Sequence, residues 1–189
     1  RYRRQRQMCI RDRVAGGITN LEVTLRTQHG LKAITLIRDQ VRGASVGVGT
    51  VCNATEFDAA VDAGANFVVS PGQSDALFDR ALLTNIPFLP GAVTATEVMA
   101  SKEAGFNVLK FFPASTSGGA AAIKAFAGPF ADLQFVPTGG INLDNAGSYL
   151  SLSNVRAVGG SWLTPADAIQ NGQWEHITQI AREASQLGV

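Results

Sequence analysis

The sequence predicts an α/β fold, and within that class a (β/α)8 barrel (TIM barrel). From Asn20 onward, short runs rich in β-branched and aromatic residues alternate with segments of helical periodicity. This alternation is typical of a parallel sheet covered by helices. The predicted strands lie at residues 21–26, 45–51, 67–71, 87–93, 108–113, 134–138 and 155–159. Because these units follow one another without interruption, they favour a barrel over an open doubly wound sheet, which stays the alternative.

The segments between the strands carry the start and stop signals of helices. Asn53, Ser74 and Thr94 stand where helical periodicity begins, and their side chains are suited to accept a hydrogen bond from the first turn. Gly64, Gly105 and Gly128 stand where it ends, as glycine commonly does just beyond a helix. We therefore expect helices to follow the strands at these points.

The N-terminal segment does not fit this pattern. A barrel of this kind has eight strands, and the first strand and most of the first helix have no counterpart in the sequence. Residues 1–13 carry six arginines and one aspartate, although the whole chain has a net charge of +1. A basic arm for nucleic acid is one interpretation. We favour another, that residues 1–13 are a non-native or disordered segment resembling a translated sequencing adaptor, and that residues 14–189 form a single barrel domain.

Composition narrows the classes of function. The chain has 189 residues, of which 46% are hydrophobic, enough for one core, and no apolar run is long enough to span a membrane. Two cysteines make no disulfide framework, which indicates a reducing, cytoplasmic setting. The two histidines lie in no cluster with metal-ligand spacing. We expect no metal, no cofactor, and neither nucleic acid nor membrane as a partner.

Lys110 lies inside an apolar strand and shares its face with Val108 and Phe112. An ammonium in apolar surroundings loses hydration, which favours the neutral amine. A neutral lysine amine is a nucleophile that forms a Schiff base with a ketone or aldehyde. The structural alternative is a lysine at a strand end that extends its charge into water.

The first predicted strand places Glu22 and Arg26 on the face opposite Leu21 and Leu25. In a parallel barrel that second face is the interior, where a glutamate and an arginine are costly unless they serve each other or a ligand. Glu22 is therefore a candidate acid or base, and Arg26 a candidate clamp for a carboxylate. An ordinary sheet with one wet face is the alternative.

Glycines mark the ends of several predicted strands. In the second strand they would let a ligand approach the backbone beside the Thr50 hydroxyl. The last two strands end in Gly139-Gly140 and in Gly159-Gly160 followed by Ser161. Backbone amides after the seventh and eighth strands of such barrels commonly bind phosphate. The matching positions of the two pairs predict a phosphorylated ligand.

Eight short motifs follow one another along the chain. They are LEVTLRT at 21–27, GVGTV at 47–51, SPG at 70–72, PG at 90–91, KFFPA at 110–114, AGPF at 127–130, PTGGI at 137–141 and GGSW at 159–162. In order and spacing they resemble the family of 2-keto-3-deoxy-6-phosphogluconate (KDPG) aldolase and 4-hydroxy-2-oxoglutarate (KHG) aldolase. The resemblance implies a metal-independent, Schiff-base lyase, usually a trimer, acting in the Entner–Doudoroff pathway. The implied substrate is a phosphorylated 2-keto acid, KDPG, cleaved to pyruvate and glyceraldehyde 3-phosphate, and cleavage of KHG to pyruvate and glyoxylate is a second implied reaction.

The same resemblance implies roles for individual residues. Lys110 would form the imine and Glu22 would transfer protons, with Arg26 and Thr50 holding the pyruvyl carboxylate. The residues implied to line the site are Pro90, Phe112 and Thr138, and those at the phosphate end are Gly139, Gly140, Gly160 and Ser161. Another phosphate-binding barrel enzyme, such as an isomerase or synthase, and an inactive truncated fragment stay as alternatives.

Overall fold

The computed structural model describes residues 2–27 and 29–187 and contains a parallel sheet whose strands pair in sequence order. The strands are β1 (Asn20–Thr24), β2 (Ser45–Gly49), β3 (Phe67–Val69), β4 (Phe88–Leu89), β5 (Val108–Phe111) and β6 (Gln134–Pro137). Strands β1 to β4 form one parallel sheet and β5 pairs with β6. A bridge between Gly91 and Lys110 joins the two groups of strands. Two further bridges, from Phe135 to Val155 and from Thr138 to Gly159, place residues 155–159 beside β6 as a seventh strand position.

This order decides between the two predicted architectures. A doubly wound sheet reverses its strand order at a switch point, whereas here each strand pairs with the next one along the chain. The arrangement is therefore that of a barrel wall with seven strand positions. Within residues 2–27 and 29–187, no pairing joins β1 to the seventh position, so the wall is open between them.

Several strands are shorter than predicted. The first ends at Thr24 rather than Arg26, and the fourth covers only Phe88–Leu89. Prolines explain part of the difference, since Pro90 has no N–H to continue the ladder. The seventh predicted strand, at 155–159, is present only as the two isolated bridges at Val155 and Gly159.

Helices follow the strands at the predicted places, and one further helix precedes the first strand. They are α1 (Tyr2–Ala15), α2 (Gly30–Gln40), α3 (Ala54–Asp62), α4 (Asp75–Thr84), α5 (Ala95–Glu103), α6 (Gly119–Phe126), α7 (Leu143–Leu150), α8 (Ala166–Asn171) and α9 (Trp174–Ser185). The predicted caps are confirmed, because Asn53, Ser74 and Thr94 each accept a backbone N–H of the first turn. None of the helices in the described residues is long and apolar enough to cross a membrane.

The apolar core lies between the strands and the surrounding helices. Val46 and Val48 of β2 pack in one cluster with Ile34 and Phe57 of the neighbouring helices. A second cluster contains Leu109, Phe111 and Phe135, whose side chains are fully buried. Because side chains alternate along a strand, the outward direction of Leu109 and Phe111 turns Lys110 towards the interior.

Helix α1 includes most of the segment predicted to be non-native or disordered. Cys9 is buried against Ala168 and Ile177 of α8 and α9, and Ile10 joins the core of the first four strands. Gly16, just after α1, lies so close to α9 that a Cβ there would be 2.5 Å from the Ala181 Cβ. That residues 1–13 are foreign to the natural gene stays a prediction, and sequencing the source gene tests it.

Candidate active site

Lys110 stands at the middle of the barrel wall, held by its backbone on one side. Its N–H donates to the Pro90 carbonyl at 2.8 Å, and its own carbonyl accepts from Ala92 N–H at 2.9 Å. The residue is only 7% exposed. Its Nζ lies 5.2 Å from the centroid of the Phe112 ring, within range of a cation–π contact. The strand thus holds the amine in a largely dehydrated setting, as the alternation predicted.

Glu22 provides the carboxylate nearest to this amine. Lys110 Nζ donates to Glu22 Oε1 at 3.4 Å, and the Glu22 side chain is 29% exposed whereas that of Lys110 is 8% exposed. A contact of this length is at the weak end of hydrogen bonding. The two groups are therefore adjacent without forming a short ion pair, and a reactant placed beside both would contact the amine and the carboxylate.

Because Gly49 has no side chain, the Glu22 carboxyl can occupy the space beside its backbone. A Cβ built on Gly49 would lie 1.8 Å from Glu22 Oε1 and 2.5 Å from its Cδ, so the carboxyl lies directly over the Gly49 backbone. The sequence associated this glycine with the approach of a ligand. The structure shows that its neighbour is the catalytic candidate of the adjacent strand.

Arg26 follows the end of β1 and Thr50 follows the end of β2. The two strand ends are joined by a hydrogen bond in which Leu25 N–H donates to the Gly49 carbonyl at 2.9 Å. Arg26 lies two residues beyond the end of β1 and is exposed. Its role as a clamp for a carboxylate stays a prediction. Thr50 has a φ of 64°, a left-handed conformation that is uncommon for a β-branched residue. Within the described chain, neither side chain makes a hydrogen bond or ion pair with Glu22 or Lys110.

Thr138 is a buried hydroxyl at the end of β6. Its N–H donates to the Phe111 carbonyl at 3.0 Å, and its carbonyl accepts from Ala114 N–H at 2.8 Å. Its Oγ1 is buried and has no hydrogen-bond partner in the part of the chain that the structure describes. A buried hydroxyl that the fold leaves unpaired is suited to bind a ligand in the barrel interior.

The predicted phosphate end consists of neighbouring loops. Gly139 and Gly140 have φ values of 92° and 76°, which favour glycine. The bridge between Thr138 and Gly159 joins the two segments just before Gly139 and Gly160, and Ser161 begins a short 3-10 helix at Ser161–Leu163. The backbone thus brings the two glycine pairs to the same end of neighbouring strands, as their spacing predicted.

Two residues near this end were not identified from the sequence pattern. Ser115 lies against Gly140, where a Cβ on the glycine would be 2.2 Å from the Ser115 Oγ. Asn145 donates through its Nδ2 to the Gly140 carbonyl at 2.8 Å and also accepts from Asn142 N–H at 2.9 Å. The Asn-x-x-Asn spacing at 142–145 is a signal for a capping box, but it does not reveal the bond to Gly140.

No group of three or more His, Cys, Asp or Glu side chains that could hold a metal ion occurs among the described residues.

Comparisons with known proteins agree with this geometry. The family model for KDPG and KHG aldolase matches residues 4–180. The 2-dehydro-3-deoxy-phosphogluconate aldolase of Pseudomonas aeruginosa is 46% identical over 170 residues, covering 90% of this chain and 77% of that protein. The KDPG aldolase of Legionella pneumophila, captured with pyruvate as a covalent carbinolamine, superposes with a TM-score of 0.94 at 40% identity, covering 97% of this chain and 89% of that one. The enzyme of Zymomonas mobilis ZM4 with 3-phosphoglycerate gives 0.91 at 41% identity, covering 98% and 87%.

Proposed function

The chain belongs to the KDPG and KHG aldolase family, and we propose that it cleaves KDPG to pyruvate and glyceraldehyde 3-phosphate through a Schiff base on Lys110. It is a class I aldolase of the TIM-barrel type, a lyase. The observation that carries the proposal is the buried Lys110 amine with the Glu22 carboxylate 3.4 Å away. The Legionella relative, in which pyruvate forms a covalent carbinolamine, supports the same chemistry.

The chemistry starts with the neutral Lys110 amine. Its nitrogen attacks the C2 carbonyl of KDPG, and the carbinolamine loses water to give a protonated imine. This cation accepts the electron pair of the C3–C4 bond as that bond breaks. Glu22 takes the C4 hydroxyl proton, which releases glyceraldehyde 3-phosphate, and the enamine stays on Lys110. Glu22 then returns a proton to the enamine carbon, and water hydrolyses the imine to free pyruvate and the amine.

We assign each remaining site residue to the part of the substrate that it would contact. We place the pyruvyl carboxylate near Arg26 and Thr50, which follow neighbouring strands on the side of Glu22. Pro90, Phe112 and Thr138 would line the middle of the site. The phosphate would lie at the glycine pairs, with Gly139, Gly140, Gly160 and Ser161 as its partners. The Zymomonas relative, solved with 3-phosphoglycerate, supports a site for a phosphorylated acid in this family.

Three further points belong to the proposal. Cleavage of KHG to pyruvate and glyoxylate is supported by the family model, which covers both substrates. A homotrimer is what the resemblance implies. A reducing, cytoplasmic compartment is supported by the free thiols of Cys9 and Cys52.

Borohydride trapping with pyruvate tests the proposal. Reduction of the imine should add one pyruvate-derived group to the intact mass, and peptide mapping should place it on Lys110. Lys110→Met should lose the adduct, whereas Lys124→Met, at an exposed lysine of α6, should keep it. A chain that melts cooperatively yet forms no adduct would overturn the aldolase mechanism and favour another phosphate-binding barrel enzyme. A chain that does not melt cooperatively would support the inactive-fragment alternative.

A further inference from the structure

Ser115 lies beside the glycine pair at the proposed phosphate end. Its N–H donates to the Gly139 carbonyl at 3.1 Å, next to the bond from Ala114 N–H to Thr138. The loop after β5 is therefore bonded to the segment after β6 at two consecutive residues. This pairing places Ser115 next to Gly140 through the backbone, not through a flexible side chain alone.

The Ser115 side chain fills the space that a side chain on Gly140 would need. The Cβ position of Gly140 lies 2.2 Å from the Ser115 Oγ and 2.6 Å from its Cβ. The Ser115 hydroxyl makes no hydrogen bond within residues 2–27 and 29–187, whereas the neighbouring Thr116 hydroxyl donates to the Pro113 carbonyl. Ser115 is exposed, so its hydroxyl is free to donate to a molecule arriving from outside.

A second serine belongs to the loop on the other side of β6. The bridge between Thr138 and Gly159 joins the end of β6 to the segment that leads into Gly160 and Ser161. The loop that contains Gly139 and Gly140 is thus flanked by the loop of Ser115 and by the loop of Ser161. A phosphate at the glycines carries several acceptor oxygens, and hydroxyls on both sides can donate to different oxygens.

We infer that the Ser115 hydroxyl is a further ligand of the substrate phosphate and sets the preference for phosphorylated over unphosphorylated 2-keto acids. This inference rests on the proposed function. KHG has a carboxylate in place of the phosphorylated end and is too short to reach Ser115 as KDPG does. Ser115 should therefore influence KDPG and leave KHG unaffected.

Steady-state kinetics with both substrates tests the inference in Ser115→Ala, Ser115→Asp and the control Ser117→Ala. In Ser115→Ala we expect KM for KDPG to rise about tenfold, the effect of losing one hydrogen bond to a charged group. Ser115→Asp should raise it further, because a carboxylate repels the phosphate. In every variant, kcat for KDPG and both kcat and KM for KHG should stay at the wild-type values. Ser117→Ala should match the wild type in kcat and KM for both substrates.

Pyruvate trapping separates failure of this inference from failure of the proposed function. Pyruvate has no phosphate, so each serine variant should form the Lys110 adduct at the wild-type rate. If the adduct forms but the KDPG-to-KHG preference is the same in Ser115→Asp and Ser117→Ala, the role of Ser115 is overturned and the aldolase function stands. If the wild type forms no adduct, both are overturned.

Discussion

Lys110 Nζ lies 3.4 Å from Glu22 Oε1, although the two residues are 88 positions apart in sequence. They come from strands β5 and β1, which are not neighbours in the wall. Their contact therefore crosses the barrel interior and depends on the curvature of the sheet. Since the amine is almost fully buried and the carboxylate is partly open, the pair connects a dehydrated nucleophile to a group that can exchange protons with the surroundings.

Glu22→Gln should separate imine formation from proton transfer. Glutamine keeps the size of the side chain and an oxygen that accepts from Lys110, but it cannot take up the C4 hydroxyl proton. We expect kcat for KDPG cleavage to fall by about 10²- to 10⁴-fold, the usual contribution of a general acid–base group. Exchange of the pyruvate methyl protons with deuterium, followed by NMR, should slow in parallel because it requires protonation of the enamine.

Borohydride trapping provides the control for Glu22→Gln. The pyruvate adduct on Lys110 should still form, which shows that the nucleophile is intact. A variant whose turnover stays within a few-fold of the wild type would remove Glu22 from the mechanism.

Gly49→Ala should act on the chemistry through Glu22, whereas Gly47→Ala should act on stability. A methyl group at Gly49 would meet Glu22 Oε1 at 1.8 Å and displace the carboxyl. A methyl group at Gly47, two residues earlier on the same strand, would meet the Phe67 ring at 2.1 Å. We expect Gly49→Ala to lower kcat more strongly, and Gly47→Ala to lower the free energy of unfolding by about 1–3 kcal/mol as an overpacked core does.

Kinetics and thermal melts on both glycine variants check this ranking. The double variant Glu22→Gln with Gly49→Ala should be no slower than Glu22→Gln alone, because the displaced group is already inactive. Equal losses of kcat in Gly47→Ala and Gly49→Ala would show that the effect is general destabilisation.

The inward direction of the Lys110 and Glu22 side chains could be predicted from the sequence, because the alternation along a strand determines which face a side chain occupies. The sequence was not sufficient for the neighbour of each glycine, since the role of Gly49 depends on the register between β1 and β2. The first strand was predicted to end at Arg26 and ends at Thr24, because the end of a strand depends on tertiary hydrogen bonds. Ser115 and Asn145 carry no local pattern that reveals their contacts with Gly140.

Glu97 should make a pH-dependent contribution to stability. Its Oε2 accepts from the N–H groups of Val93 and Thr94 at 2.9 and 2.8 Å and from the Thr94 hydroxyl at 2.9 Å. Desolvation is the largest single influence and raises the pKa of this carboxyl, but the three hydrogen bonds together hold the pKa below its ordinary value. A depressed folded-state pKa means that the stabilisation is complete above the unfolded pKa of about 4.3 and is lost as the pH falls through the folded value.

Denaturant unfolding of the wild type and Glu97→Gln between about pH 3 and pH 7 measures this contribution, because that range lies on both sides of the pKa of an unfolded glutamate. The wild type should be more stable at neutral pH, by no more than about 1 kcal/mol, the typical value of a helix cap, and the difference should shrink under acid conditions. Glu175→Gln, in the first turn of α9, is the matched control without these bonds. A difference that is constant across the range would show that the charge of Glu97 does not contribute.

Asn145 should control phosphate recognition by holding the Gly140 carbonyl. Asn145→Asp keeps an oxygen to accept from Asn142 N–H, but it loses the Nδ2 that donates to Gly140 at 2.8 Å. Because the two loop glycines have little conformational preference of their own, loss of this bond should let their amides move away from the phosphate. We expect KM for KDPG to rise several-fold while kcat and the constants for KHG stay unchanged.

Asn142→Asp is the control that isolates the lost bond from the added charge. It places a carboxylate at the same helix N-terminus and keeps the oxygen that accepts from Asn145 N–H at 3.1 Å, but it leaves the bond to Gly140 in place. If charge repulsion of the phosphate were the cause, both variants would raise KM for KDPG equally. A rise confined to Asn145→Asp, with similar melting temperatures in the two variants, would assign the effect to the positioning of Gly140 by Asn145.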